Sequence, residues 1–240
     1  MERYGTREGA SVHLAKRIPT EAGLGGGSSN AAVALFGLAS LWNLQIEKEE
    51  FCEMGARLGA DVPFFFTGGT ALGTGLGTHV KALPEVRVRH LLIVTPEVKV
   101  ATPEAYGALN APALTKPDGD TILPSSRADE DFRVSLPDTP HNDFERVVFR
   151  LKPEVKRAKE ALLLKGARAA LMTGSGSSIF GIFENQETQE RAASALRDGT
   201  NWRVFACSTL SRAEYAQRLQ TCASALKALS ESQDDFDTGA

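Results

Sequence analysis

Residues 18–35, IPTEAGLGGGSSNAAVAL, set four glycines and two serines between an apolar run and an alanine-rich one. Backbone stripped of side chains lets its N–H groups converge on one point. A helix that starts just beyond aims its unpaired N–H groups and the positive end of its dipole at the same place. An anion satisfies both, and a nucleotide phosphate is the commonest; a plain flexible turn is the other use of such a run. The context favours phosphate. SVHLAKRI (11–18) reads as a strand with Val12 and Leu14 on one face, and residues 28–44 read as a helix capped by Ser28 or Ser29.

The two familiar phosphate loops both fail at a named position. A Walker loop needs Lys and then Ser or Thr after its last glycine, but Gly27 is followed by Ser28, Ser29 and Asn30. A dinucleotide fingerprint opening at Gly23 needs glycine at 28 and meets Ser28. GTGLGT (73–78) and GSGSSI (174–179) fail the same tests.

The remaining sequence predicts a mixed fold. EKEEFCEMGARL (47–58) is a predicted helix with acids in its first turn. ADVPFFFTGGTALGTGLGTHVKAL (60–83) reads as a turn, a short apolar strand and a glycine-laced strand. HLLIVTP (90–96) is a buried strand, and TPEAYGAL (102–109) a helix with Thr102 as N-cap and Pro103 at its first position. Residues 111–140, rich in Pro, Asp and Ser, read as a loop. A helix broken near Pro153 (141–167), strand–loop–strand (168–184), a helix (186–197) and a strand (202–209) follow. From about 212 a helix runs into an acidic tail. The order from 90 onward predicts a sheet with helices on one side.

Composition excludes several classes. A net charge of −3 over 240 residues, with only short basic clusters, argues against nucleic acid or a membrane surface as partner. Cys52, Cys207 and Cys222 lack metal or disulfide spacing, and the four histidines are scattered, so no metal site is expected. No apolar run approaches the ~20 residues of a membrane span, which makes the cytoplasm the expected location.

PTEAGLGGGSSNAA resembles the phosphate-binding motif of the GHMP kinases: Pro, three residues, then Gly-Leu-Gly-Ser-Ser-Ala with small variations. LGADVPFFFTGGTALGTGLG (58–77), HNDFE (141–145) and LMTGSGSSIFGIF (171–183) resemble, in the right order, the branch of that family that phosphorylates the 2-hydroxyl of 4-diphosphocytidyl-2-C-methyl-D-erythritol. The resemblance spans about residues 11–209. Homoserine- or mevalonate-type kinases and a non-catalytic nucleotide-binding module are the alternatives; the triple glycine before Ser28 argues against the other kinases.

The resemblance implies an α+β GHMP kinase fold with ATP and Mg²⁺ as cofactors. Residues 1–86 would form an incomplete ribosomal protein S5 domain 2-like N-terminal domain and 87–211 a ferredoxin-like C-terminal domain, with 212–240 a helix and tail. It implies that Pro19, Thr20, Glu21, Ala22, Gly23, Leu24, Gly25, Gly26, Gly27, Ser28 and Ser29 bind the nucleotide, with the two hydroxyls reaching phosphate or Mg²⁺. Asp61 is implied as the catalytic base. Its own setting, between Ala60 and Val62-Pro63-Phe64-Phe65-Phe66, suits a carboxylate in apolar surroundings or a helix-end cap. Thr102, Gly174 and Ser175 are implied near the acceptor, although capping and a tight hairpin also explain them; Asn142 and Asp143 fit a polar seam or a cap. Lys16 and Arg17 are expected to face the nucleotide.

Two family segments, Pro-Ala-Lys-x-Asn and Asp-Gly-Tyr-His, have no counterpart in MERYGTREGAS. The lysine would partner the catalytic Asp and the moving phosphate, and the Tyr-His pair the cytidine. The expectation is a chain shortened at its start and inactive, with Leu35, Leu38 and Leu41 of the first helix uncovered.

Overall fold

A computed structural model describes residues 4–5, 9–109, 141–222 and 224. The loop expected over 111–140 and the tail beyond 224 lie outside the described residues. The chain divides into two compact units. The first comprises the described residues within Met1–Arg17, Gly25–Val86 and Leu210–Ala240, the second those within Ile18–Leu24 and Arg87–Thr209.

In the first unit, helix α1 (Gly26–Leu41) is followed by α2 (Lys48–Leu58) and a single helical turn, α3 (Phe64–Thr67). A hairpin of β1 (Ala71–Thr74) and β2 (His79–Ala82) completes the run. The small side chains Ala32 and Ala39 are buried on α1, and Phe51 of α2 stacks between Phe36 and Phe66 with ring centroids 5.8 and 5.2 Å away. Leu35, Leu38 and Leu41, expected to be uncovered, are half-buried. Helical residues 212–222 bind here too: the Tyr215 hydroxyl donates to the Phe65 carbonyl at 2.9 Å and Arg212 Nη2 to the Thr70 carbonyl at 2.9 Å.

Three local expectations are corrected. Residues 11–18 form no strand: they carry no regular structure and all are exposed, Val12 by 69%. A strand needs a ladder partner, and among the described residues no strand pairs with this segment. Second, α1 begins at Gly26 with Gly25 as its N-cap, so Ser28 and Ser29 lie inside the first turn rather than ahead of it. Third, the aromatic run after Pro63 is helical; Phe65 N–H bonds the Val62 carbonyl at 3.0 Å, Phe66 the Pro63 carbonyl at 3.1 Å and Gly68 the Phe64 carbonyl at 2.8 Å. Those local bonds commit the Phe65, Phe66 and Gly68 amides to the turn rather than to a neighbouring strand.

The second unit has the expected one-sided sheet. Strands β3 (Leu91–Thr95), β4 (Ala169–Met172), β5 (Ile179–Ile182) and β6 (Arg203–Cys207) lie in the order β4-β5-β3-β6, every pair antiparallel. Helices α4 (Thr102–Leu109), α5 (Glu145–Leu151), α6 (Pro153–Leu164) and α7 (Gln186–Gly199) complete a ferredoxin-like β-α-β-β-α-β sandwich. Period-two alternation puts Leu92, Val94, Ala170, Met172 and Ile179 on one face, and Val155, Ala158 and Leu162 of α6 with Ala192 and Leu196 of α7 share their core. Leu162 is wholly buried. Pro153 breaks the helical stretch where expected and starts α6.

Candidate active site

The glycine loop has a defined shape. Glu21, Gly23 and Gly25 have φ of 55°, 69° and 63°, left-handed at every second residue. Left-handed residues of this kind occur where backbone N–H groups are turned toward an anion. The loop ends in α1, whose first turn no side chain caps; the first helical bond runs from Ser29 N–H to the Gly25 carbonyl at 2.8 Å. The amides of Gly26, Gly27 and Ser28 thus point out of the helix start with the positive dipole end behind them. Space is open around Gly27, where an added Cβ would meet nothing within 4 Å.

Each part of the loop is held by its own unit. In the first, the Phe65 ring stands 3.0 Å from where a Cβ on Gly25 would sit. Lys16 Nζ donates to Asn30 Oδ1 at 2.5 Å, which brings one ammonium to the first turns of α1. The Ser29 hydroxyl donates back to the Gly26 carbonyl at 3.1 Å, so Ser28 is the serine whose hydroxyl is left for a ligand. Asp61 lies in the turn between α2 and α3, exposed rather than in the apolar setting its neighbours suggested, because Val62 and Pro63 turn inward and it turns outward. Its carboxylate does not cap α3, whose start has no side-chain cap.

In the second unit, residues 18–24 lie against the 173–178 loop joining β4 and β5. The Ala22 carbonyl accepts from Ser178 N–H at 3.1 Å and from the Thr173 hydroxyl at 3.2 Å. Gly23 is so near that a Cβ there would lie 2.1 Å from the Thr173 carbonyl oxygen. The Glu21 carboxylate, like-charged to a phosphate, is engaged by Lys99 at 3.2 Å; both are exposed, so the pair neutralises more than it stabilises.

Thr102 opens α4 as a helical residue and meets Ser175 hydroxyl to hydroxyl at 3.2 Å, so two of the three acceptor candidates are brought together. The third, Gly174, offers its carbonyl to Asn142 Nδ2 at 2.8 Å. Asn142 also donates to the Met172 carbonyl at 2.8 Å and accepts from Phe144 N–H at 2.9 Å. Sequence reasoning missed Glu145, whose carboxylate accepts from Met172 N–H at 2.9 Å and from Lys159 at 2.6 Å. It also missed Phe65 and Lys99. Nothing in the spacing of these residues marks them; their partners lie tens of residues away.

Cys52, Cys207 and Cys222 are free thiols, and burial pushes the first two above the ordinary cysteine range. Among the described residues no helix is long and apolar enough to cross a membrane.

A family model for the GHMP kinases N terminal domain matches residues 1–69, and one for the GHMP kinases C terminal domain matches residues 126–200. The chain belongs to the GHMP kinase family, and its fold is that of the class. Among its relatives is the 4-diphosphocytidyl-2-C-methyl-D-erythritol kinase of Syntrophus aciditrophicus, 39% identical over 201 residues that cover 84% of this chain and 70% of the relative. The kinase of the same name from Citrifermentans bemidjiense is 40% identical over 202 residues, with coverage of 84% and 70%. A crystal structure of 4-(cytidine 5'-diphospho)-2C-methyl-D-erythritol kinase superposes with a TM-score of 0.61 at 36% identity, covering 80% of this chain and 68% of that one.

Proposed function

We propose that, against the expectation of an inactive chain raised by the sequence, this chain transfers the γ-phosphoryl group of ATP to the 2-hydroxyl of 4-diphosphocytidyl-2-C-methyl-D-erythritol, a cytoplasmic step of non-mevalonate isoprenoid biosynthesis. The observation that carries this reading is the 39% and 40% identity, over 84% of the chain, to two kinases named for that substrate. The local geometry supports it. Phosphoryl transfer asks the protein chiefly to hold phosphates, balance their charge and align the acceptor. Residues 19–29 offer backbone donors and an uncapped helix start for the first task, and Lys16 beside Asn30 offers a cation for the second.

Mg²⁺, which binds mainly through phosphates and water with one or two protein oxygens, would neutralise charge on the phosphates, and the Ser28 hydroxyl is the protein oxygen suited to it. Asp61 is the general base in this reading: its carboxylate is exposed and engages no other side chain among the described residues, leaving both oxygens for an acceptor hydroxyl. Thr102 and Ser175, paired by their hydroxyls, and Gly174 line the acceptor's approach.

The test is transfer of labelled γ-phosphate, with 4-diphosphocytidyl-2-C-methyl-D-erythritol, homoserine and mevalonate offered separately, alongside calorimetric titration with MgATP. The expected result is ATP binding and label on the cytidyl substrate alone. Label on another acceptor overturns the substrate, and ATP binding without transfer to any acceptor overturns the kinase reading in favour of a nucleotide-binding module.

A further inference from the structure

The segment that opens α5 does more than start a helix. Among the described residues β4 is an edge strand, and the outward peptide group of its last residue meets no strand there. Two side chains take the place of that strand. Met172 N–H is bound by Glu145 and its carbonyl by Asn142, and the same Asn142 amide reaches across to the Gly174 carbonyl. One planar –NH₂ with both hydrogens committed 2.8 Å from two carbonyls, and its own oxygen bound by Phe144 N–H, is fixed in orientation. Lys159, 2.6 Å from the other Glu145 oxygen, fixes the second side chain.

What these groups hold is the strand-to-loop junction at Thr173. Residue 173 has no slack: its amide donates to the Ser178 carbonyl at 2.9 Å, its carbonyl accepts from Gly176 N–H at 2.9 Å, and its hydroxyl donates to Ala22. That same carbonyl oxygen is the atom against which Gly23 is packed. A shift at Met172–Gly174 therefore moves the surface on which Ala22 and Gly23 rest.

The geometry points to Asn142 as a positioning residue for the nucleotide loop, acting through Met172, Thr173 and Gly174 on Ala22 and Gly23. The inference rests on the reading of residues 19–29 as the ATP loop. It makes Asn142 a determinant of ATP affinity although it lies outside residues 19–29.

Asn142→Asp keeps the size and the acceptor for Phe144 N–H but turns both donors into a carboxylate facing two carbonyls. Thr173→Val keeps the shape of residue 173 and removes its hydroxyl, which donates to the Ala22 carbonyl at 3.2 Å and, at 3.4 Å, to the Ser178 carbonyl, so it carries the test if the first variant does not fold. The full chain is used, with MgATP titrated by calorimetry, exchange of the Ser178 amide followed by NMR without nucleotide, and melting temperature recorded. Losing hydrogen bonds each worth about tenfold in an equilibrium should weaken ATP binding about tenfold or more in Asn142→Asp and about threefold or more in Thr173→Val. Ser178 exchange should speed up in both, while the melting temperature moves by only a few degrees. Unchanged exchange and affinity overturn the positioning role, as does an affinity loss that merely tracks a large fall in melting temperature. Faster exchange in a chain whose parent binds no ATP overturns the nucleotide reading and leaves the clasp itself standing.

Discussion

Gly23 and Thr173 pack so closely that one added carbon on residue 23 would sit 2.1 Å from the Thr173 carbonyl oxygen. The obstacle is backbone already bonded to Gly176, so it cannot rotate aside like a side chain. The φ of 69° at Gly23 adds the left-handed strain of any L side chain. Gly23→Ala is expected to destabilise by about 2–4 kcal/mol, from overpacking and backbone strain together. At this chain length that lowers the melting temperature by roughly 5–15 °C. A thermal melt that matched the parent would contradict the packing described.

Gly25 has a different neighbour and a different prediction. It caps α1 at φ 63°, and a Cβ added to it would lie 3.0 Å from the edge of the Phe65 ring. Gly25→Val adds a branched side chain where the first α1 amides must meet a phosphate, and ATP binding should be lost in calorimetry. ATP binding equal to the parent's would remove the loop from the nucleotide site.

For Asp61 the change is chemical rather than steric. Asp61→Asn keeps the side chain's outline and removes the proton acceptor. In the phosphotransfer assay turnover should fall by ~10²-fold or more, the lower end of what a general base supplies, with ATP affinity little changed. A variant that turned over at the parent rate would leave Asp61 without that role.

Tyr215 gives a prediction in pH. Burial raises its hydroxyl above the ordinary tyrosine range, and the hydroxyl donates to the Phe65 carbonyl. The unfolded chain therefore releases this proton first as pH climbs. The contribution is complete below about pH 10, the unfolded value, and is lost as pH rises from there through the higher folded value. Tyr215→Phe should cost about 1 kcal/mol at neutral pH through the missing hydrogen bond. The gap between the two melting temperatures should then narrow above about pH 10, where only the parent has a residue-215 hydroxyl to ionise. Parallel melting curves from pH 7 to 11 would refute the assignment.

The elements legible in the sequence were those whose pattern is local. HLLIVTP and IFGI alternate or run apolar as buried strands do, and Pro153 marks its own break. The failures have local causes as well. FFF after Pro63 has strand-like composition, and only the backbone shows that local turn bonds claim the Phe65 and Phe66 amides and the Phe64 carbonyl. Val12 and Leu14 alternate correctly, but alternation cannot say whether a partner strand exists. Ser28 and Ser29 look like caps because serine usually caps; glycine at 25, already left-handed, starts the helix sooner.

The site was legible where glycine and serine cluster and illegible where one side chain works at a distance. Thr102 and Ser175 are 73 residues apart, and Asn142 reaches across 30 to Met172 and 32 to Gly174. No window along the chain contains both ends of these contacts. Asp61 reads from the sequence as a turn residue and is one, but its apolar neighbours Val62 and Pro63 point inward while it stays exposed.

The clasp on Ala22 fixes an order of events during synthesis. The Ala22 carbonyl leaves the ribosome 151 residues before the Thr173 hydroxyl that binds it. Through that interval helix α1 can form while the segment leading into it has no floor. The loop acquires its final curvature only when the β4–β5 turn emerges, so a nascent chain halted before Thr173 carries every glycine of the loop but neither the Thr173 nor the Ser178 groups that hold its first half. No single cut separates the two units either: a fragment starting at Arg87 keeps the whole four-stranded sheet but leaves Thr173 and Ser178 without the carbonyl they share, and a recombinant that exchanged that sheet between relatives would have to exchange residues 18–24 with it.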